Sequence, residues 1–408
     1  MNGFTRIPES RWLRSRDLKL EESSVPASFY TSQEQFELER EQVFRRAWLS
    51  VARVEELPNA GDFVNLDILT LKAKLILVRG DDGEVRGFHN SCAHRGVMVV
   101  QKEKGNAAQF RCPYHAWVYG TDGKLRTIPG ADMFPDVKCG HDGLPPVHTG
   151  IWNGFIFVNF AKEPEESLEE FLGEAGVLFS DLPFEDYNHE LRLPQPLATN
   201  WKHISNAFTE GYHLGFLHKN SLPFVFDREN PLTDYPTVRF MGRHSANITG
   251  ANSKWQPTKP VMRFALETGF AADAELEPAG KKLMDHPAIN PDRIDPIMEE
   301  AINIFPNTQI QVLHNGYLWY QYWPSGPNEM LWDVRLFLDR APHSFRTEFA
   351  EASYVAAIRD VMAEDSSMGE LQQQGLISGG LERVKYGENE FMLRHFAQTL
   401  TNYIEGKV

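Results

Sequence analysis

Cysteine is scarce in this chain, with three in 408 residues: Cys92, Cys112 and Cys139. An odd and sparse set argues against a disulfide-stapled secreted scaffold, so at least two of the three need another use. Cys139, in DVKCGHDG, is expected to be a free thiol without a role. Long apolar runs are also missing. None approaches the ~20 residues that cross a bilayer, and the opening MNGFTRIPESRWLRSRDLKLEESS has no apolar signal core. A soluble cytoplasmic protein with no membrane partner is expected. Positive charge is in deficit, with 41 Lys and Arg against 56 Asp and Glu and a net charge of −15. No basic stripe offsets it, which speaks against nucleic acid. No GxGxxG fingerprint or other nucleotide signature occurs, so a dinucleotide-binding site is not expected in this chain.

Core material is present in ordinary amounts, with 42% hydrophobic, 12% aromatic and 24% charged residues. At about 100–200 residues per domain, the length suggests two units. In SQEQFELEREQVFRRAW, Phe36, Leu38, Val43 and Phe44 follow a helical period after Ser32, a candidate N-cap. Residues 1–44 are therefore read as a helical segment packing on the second domain. Short strands punctuated by turns follow, as in FVNLDILTLKAKLILVRG, DDGE and VRGFHN, and residues 45–162 are read as an all-β domain.

Residues 163–408 change character. EESLEEFLGEAG reads as helix, HELRLPQPLATN as strand, and a helix is expected from Trp201. The stretch Asp227–Pro296, rich in Pro, Gly and Asn, reads as long loops and short helices around a site. AINIFPNTQIQVL, GYLWYQYWP and MLWDVRLFLD read as three successive strands. Two helices, at about Ser344–Gln374 and Asn389–Ile404, close the chain. The fold class is α+β, with an antiparallel sheet in the second domain.

The most informative segment pairs SCAHRG with RCPYHAW: Cys92, His94, seventeen residues, then Cys112 and His115. One Cys and one His on each of two loops suits a [2Fe–2S] cluster in which one iron takes two thiolates and the other two imidazoles. A tetrahedral Cys2His2 zinc site uses the same residue types. The spacing weighs against it, because zinc fingers usually pair like ligands in CxxC and HxxxH. A second constellation lies in NWKHISNAFTEGYHLGFLH, which holds Glu210, His213 and His218. Glu210 and His213, three apart, would share one helix face. His213 and His218, five apart, lie about 140° around an ideal helix. Both reach one metal only if the helix ends or distorts between them, and Gly215 makes such a break cheap. Two imidazoles and a carboxylate form the facial triad of O2-activating Fe(II) enzymes.

CAHRG and CPYHAW resemble the Rieske motif of ring-hydroxylating and related oxygenases. Neither loop carries the extra cysteine of the respiratory type. Ala116 stands where that family usually has Gly, which is expected to shift the loop slightly. The second segment resembles the family's other signature in its NWK opening, Asn206, Glu210 and the Tyr212–His213 pair, so the resemblance spans the chain. It implies a [2Fe–2S] domain ahead of a helix-grip catalytic domain holding mononuclear Fe(II). In VMAEDSSMGELQQQG it places the third ligand at Asp365, with Glu364 as the alternative.

The resemblance further implies a homotrimer in which Glu210 bridges His213 and the partner subunit's His115, carrying electrons between centres. Electrons would come from a separate NAD(P)H-dependent reductase, with or without a ferredoxin. O2 would be the co-substrate, in either cis-dihydroxylation or monooxygenation that leads to dealkylation. Asn206, Ala207 and Val361 are candidate substrate contacts, and equally candidate packing residues. Trp319, Tyr320, Tyr322 and Trp323 fit a small hydrophobic substrate or a sheet core. A different reading remains open, an electron carrier whose second domain only binds.

Overall fold

In the computed structural model the described residues are 20, 23–219, 221–222, 237–250, 260–261, 263–264, 283–293, 297–388 and 390–407. The chain forms two compact units, one of them Arg40–Phe171. Tight turns cut this unit into short strands, as expected. Seven form an antiparallel sheet in the order Leu49–Arg53, Phe155–Asn159, Pro146–Trp152, Val85–His89, Ala73–Arg79, Asp62–Ile68, Lys104–Asn106. Gln109–Arg111, Val118–Gly120 and Leu125–Thr127 form a smaller sheet. Between them lies a core of Phe63, Ile76, Val78, Phe88, Phe110, Trp117 and Tyr119, and Cys92 and Cys112 belong to it.

The other unit comprises the described residues up to Glu39 and from Leu172 onward. Its sheet is built from β1 (His189–Leu197), β2 (Thr237–Met241), β3 (His244–Gly250), β4 (Ile297–Ile304), β5 (Thr308–Leu313), β6 (Gly316–Gly326) and β7 (Glu329–Leu338). The spatial order is β1-β7-β6-β5-β4-β3-β2, antiparallel throughout. Two expectations are corrected here. AINIFPNTQIQVL is not one strand but the hairpin β4–β5, turned by Phe305, Pro306 and Asn307. The Asp227–Pro296 stretch, read as loops and short helices, contains the hairpin β2–β3, turned through Gly242 at φ +64°. Most of the remainder of that stretch lies outside the described residues. The β3 sequence HSANITG hides its strand because Ser245, Asn247 and Thr249, all buried, put polar groups on the face where periodicity looks for apolar ones.

Helix α1 (Gln33–Leu38) starts where expected: the Ser32 side chain accepts the Gln35 N–H, and the chain continues as a π-helical turn over Glu39–Phe44. Asn200 likewise caps α2 (Trp201–Ala207) by accepting the Lys202 N–H. The NWK opening also anchors this helix. Trp201 Nε1 donates to Glu39 Oε2 at 2.8 Å and Lys202 Nζ donates to Glu39 Oε1, with both charged side chains sealed from solvent. Burial pushes the Lys202 ammonium down, and Glu39 works against that shift. Lys202→Met strands a buried carboxylate, so it is expected to cost about 3–5 kcal/mol in denaturant titration. A cost below ~1 kcal/mol would mean that the pair is not structural.

After the one-turn helix α3 (Leu214–Leu217), the long helix α4 (Phe345–Ile377) is capped by Ser344, which accepts the Thr347 N–H. Its buried stripe includes Ser353, Ala357, Ser366 and Gly369, small residues that let backbones approach. A Cβ at Gly369 would lie 2.7 Å from Ile204 Cδ1, and Thr199 Oγ1 donates to the Gly369 carbonyl at 2.7 Å. That close approach sets α4, with Asp365, beside the segment that holds the histidines. Helix α5 (Phe391–Ile404) ends the chain; Asn389, the expected start, lies outside the described residues. Among the described residues no helix is long and apolar enough to cross a membrane.

Candidate metal centres

The two cysteine loops of the first unit are built alike. The Cys92 N–H donates to the Val97 carbonyl at 2.9 Å, and the Gly96 N–H returns to the Cys92 carbonyl at 2.8 Å. In the other loop Cys112 N–H reaches the Trp117 carbonyl at 2.8 Å and Ala116 N–H the Cys112 carbonyl at 3.0 Å. Equivalent turns need a left-handed residue four past each cysteine, and Gly96 and Ala116 have φ of +71° and +58°. The glycine preference at Ala116 thus has a backbone cause, and the alanine keeps the turn at a cost. Ala116→Gly is expected to stabilise the protein by about 1 kcal/mol, read as a rise in melting temperature; a fall would contradict strain at this position.

The loops present four donors in an asymmetric arrangement. Cys92 and Cys112 are buried and unbridged, whereas His94 and His115 are half-buried. Burial pushes the Cys92 thiol up, Tyr119 OH lies 3.0 Å from its sulfur, and Cys112 adds to the upward shift. The imidazoles bring Nδ1 atoms within 3.1 Å of each other, and His94 is stacked on Trp117. Two sulfurs inward and two ring nitrogens converging outward suit a cluster with one thiolate-held and one imidazole-held iron. Cys139 is free and exposed.

In the second unit, His213, His218 and Asp365 offer ligand atoms that all lie within 4.8 Å of one another. The geometry that achieves this differs from a broken helix at Gly215. His213 and His218 flank the single turn α3, which ends at His218. Glu210 is not on a shared helix face but in the turn before α3, where its carboxylate accepts the N–H groups of Tyr212 and His213 and contacts the His213 Nδ1. Asp365 Oδ1 lies 3.1 Å from His218 Nε2 and 3.6 Å from His213 Nε2.

The remaining ring nitrogen of each histidine is held by a carboxylate. Glu364 Oε2 sits 2.7 Å from His218 Nδ1 and accepts from Ser221 Oγ, while Glu210 holds His213. This leaves both Nε2 atoms facing Asp365, the arrangement that outer carboxylates give to metal-binding imidazoles. Burial alone would push His218 down, but Asp365 and Glu364 outweigh it and the net shift is upward. A cation is favoured at the centre of this donor set, and two imidazoles with one carboxylate suit Fe(II) with open positions.

Of the expected substrate contacts, Val361 is half-buried one turn before Asp365 on α4, and Ala207 is half-buried at the end of α2. Asn206 is buried and donates Nδ2 to Tyr30 OH at 3.0 Å. Trp319, Tyr320, Tyr322 and Trp323 are all buried; Tyr320 and Tyr322 pair with Val334 and Trp332 on the helix-facing side of the sheet, where Phe208 also packs. The sequence reading missed the holding contact of Glu364, the role of Glu39 and the sulfur contact of Tyr119. None has a local signal, because each depends on a partner distant in sequence.

Residues 47–151 match the family profile described as "Rieske [2Fe-2S] domain", and residues 184–406 match "Ring hydroxylating alpha subunit (catalytic domain)". The glycine betaine monooxygenase oxygenase subunit of Chromohalobacter salexigens is 34% identical over 332 residues, covering 78% of this chain and 71% of that protein. The anthranilate 1,2-dioxygenase large subunit of Burkholderia cepacia is 26% identical over 373 residues, covering 87% and 84%. The crystal structure of the quaternary ammonium Rieske monooxygenase CntA with L-carnitine superposes with a TM-score of 0.72 at 21% identity, covering 93% of this chain and 95% of that one.

Proposed function

Because this chain belongs to the ring-hydroxylating oxygenase alpha subunits, with a Rieske domain ahead of the catalytic domain, we propose a residue-level account of how it oxidises a small organic substrate. It is the terminal oxygenase subunit of a Rieske system, carrying a [2Fe–2S] cluster and a mononuclear non-heme iron and using O2. Such subunits work with electron-supplying partners and assemble into oligomers. In this reading Cys92, His94, Cys112 and His115 hold the cluster and His213, His218 and Asp365 the iron. The observation that carries it is the convergence of both imidazole Nε2 atoms on Asp365, with each Nδ1 held by a different carboxylate.

The bound centres supply one-electron delivery and O2 reduction at coordination positions left open by three protein ligands. The protein supplies the rest. Glu210 and Glu364 accept the Nδ1–H protons, fix the tautomers and aim Nε2 inward. Phe208, Tyr320 and Trp332 form an aromatic wall whose mutual ring distances of 4.9–5.5 Å leave little room for water. Glu210 also connects centres across a subunit boundary in a homotrimer, accepting from the partner subunit's His115. The half-buried imidazole edge of the cluster site supports an exit for electrons there. A separate NAD(P)H-dependent reductase, directly or through a ferredoxin, supplies them in the cytoplasm.

Two measurements test this. Mass photometry should find particles of about three times 46.6 kDa. Chemically reduced protein should consume O2 at least ~10-fold faster with a substrate than without one. Monomers throughout would end the trimer assignment, and cluster reoxidation that no member of a broad amine and aromatic-acid panel stimulates would return the chain to an electron carrier.

A further inference from the structure

We propose that Glu299, on the helix-facing side of the catalytic sheet, recognises a cationic ammonium group on the substrate and thereby sets specificity. The inference rests on the catalytic assignment above and deepens it. The helix-facing side of the sheet should be apolar where α2 and α4 cover it. Over β3, β4 and β5 it is not. The cross-strand pairs Thr249–Glu299 and Ser245–Asn303 put polar side chains there, and Gln311 and Gln309 continue the row onto β5. The amides and hydroxyls of this row satisfy one another, Asn303 reaching Ser245 and Gln309 reaching Asn303, so the carboxylate is the member whose charge stays uncompensated.

Glu299 is its one acidic member. The side chain is deeply enclosed yet keeps some accessible surface. Its carboxylate receives only weak hydrogen bonds from neutral donors, Thr249 Oγ1 at 3.4 Å and Gln311 Nε2 at 3.3 Å. Among the described residues no Lys, Arg or His pairs with it. A buried carboxylate lacking a cation is costly unless a ligand supplies one. Burial pushes its carboxyl up to about 7, so a bound cation would stabilise the ionised form.

The surroundings suit an alkylated ammonium rather than a metal ion. Tyr320 donates its OH to Gln311 Oε1 at 2.6 Å, which leaves its ring as wall, and Tyr354 on α4 also feels the Glu299 charge. Aromatic rings with one carboxylate attract organic cations, whereas a divalent metal would demand more oxygen ligands. Tyr320 feels the charge of both Glu299 and Asp365, which puts its side chain within electrostatic range of each carboxylate. An ammonium held at Glu299 would therefore orient the rest of a short molecule toward the iron.

The test is calorimetric titration of anaerobic, iron-replete full-length protein with two cations and their neutral isosteres: choline against 3,3-dimethylbutan-1-ol, and phenyltrimethylammonium against tert-butylbenzene. At pH 8 at least one cation should bind ~10-fold or more tightly than its isostere. Glu299→Gln should remove that preference, leaving isostere affinity, iron content and visible spectrum unchanged. Wild-type cation affinity should fall as pH drops from 8 to 6, as Glu299 takes up its proton. The facing groups cannot mimic this: Thr249 and Gln311 are neutral, and the buried Tyr320 and Tyr354 phenols are held above their ordinary range. Cations that bind no better than their isosteres, or a preference that survives Glu299→Gln, would overturn the proposal. Iron and sulfide content on the same samples reports separately on the metal assignment.

Discussion

Glu210→Gln, assayed with excess Fe(II) to keep the iron site filled, is expected to lower substrate-coupled turnover by ~10–100-fold while leaving the cluster spectrum unchanged. The wild-type carboxylate is committed on three sides, accepting two backbone N–H groups and holding the His213 Nδ1. An amide of the same shape has one acceptor oxygen, so it can keep the backbone contacts or the imidazole but not all of them. The His213 tautomer is then no longer fixed, and in the proposed trimer the connection to the neighbouring subunit's cluster would lose its charge. Stopped-flow mixing of the chemically reduced variant with O2 and substrate should show cluster oxidation slowed by a similar factor. Turnover unchanged in the variant would remove Glu210 from the electron path.

Asp365→Ala is expected to eliminate the mononuclear iron outright, even with excess Fe(II), with the cluster colour retained. Glu364→Ala should instead weaken iron binding by ~10–100-fold and be rescued by excess Fe(II). The two acidic neighbours are separated by geometry rather than by sequence. Asp365 is buried and faces both Nε2 atoms, whereas Glu364 is partly exposed and lies behind the His218 ring at Nδ1. If Glu364→Ala lost its iron irreversibly and Asp365→Ala kept it, the roles would be reversed.

What was legible in the sequence was whatever a short segment can encode. The loops of Cys92–His94 and Cys112–His115 could be read because ligand types, spacing and turn residues fall within a few positions of one another. The Ser32 cap and the approximate span of α4 could be read for the same reason, as could the order of the two domains. Glu210 was placed in the right neighbourhood by the wrong geometry. Its three-residue spacing from His213 fits a helix face, but Tyr212 and His213 sit in a turn whose backbone N–H groups the carboxylate caps.

Other features depended on folding. Glu39 carries no signal until Trp201 and Lys202 are packed against it. The β2–β3 hairpin was hidden by Ser245, Asn247 and Thr249, buried polar residues that pair across to β4, Thr249 opposite Glu299. The element that periodicity failed to find thus carries the partner strand of the proposed ammonium-binding Glu299, where a small hydrophobic substrate was expected.

The most direct test of the central claim is iron and acid-labile sulfide content, with the visible spectrum, of anaerobically purified protein and its His213→Ala variant. The expected wild-type result is the two irons and two sulfides of a [2Fe–2S] cluster plus one further iron per chain, with a red-brown colour. In His213→Ala one iron should be lost with sulfide and colour intact. A colourless, zinc-containing wild-type protein from an iron-replete preparation, or a variant that keeps all its iron, would contradict the assignment of these residues.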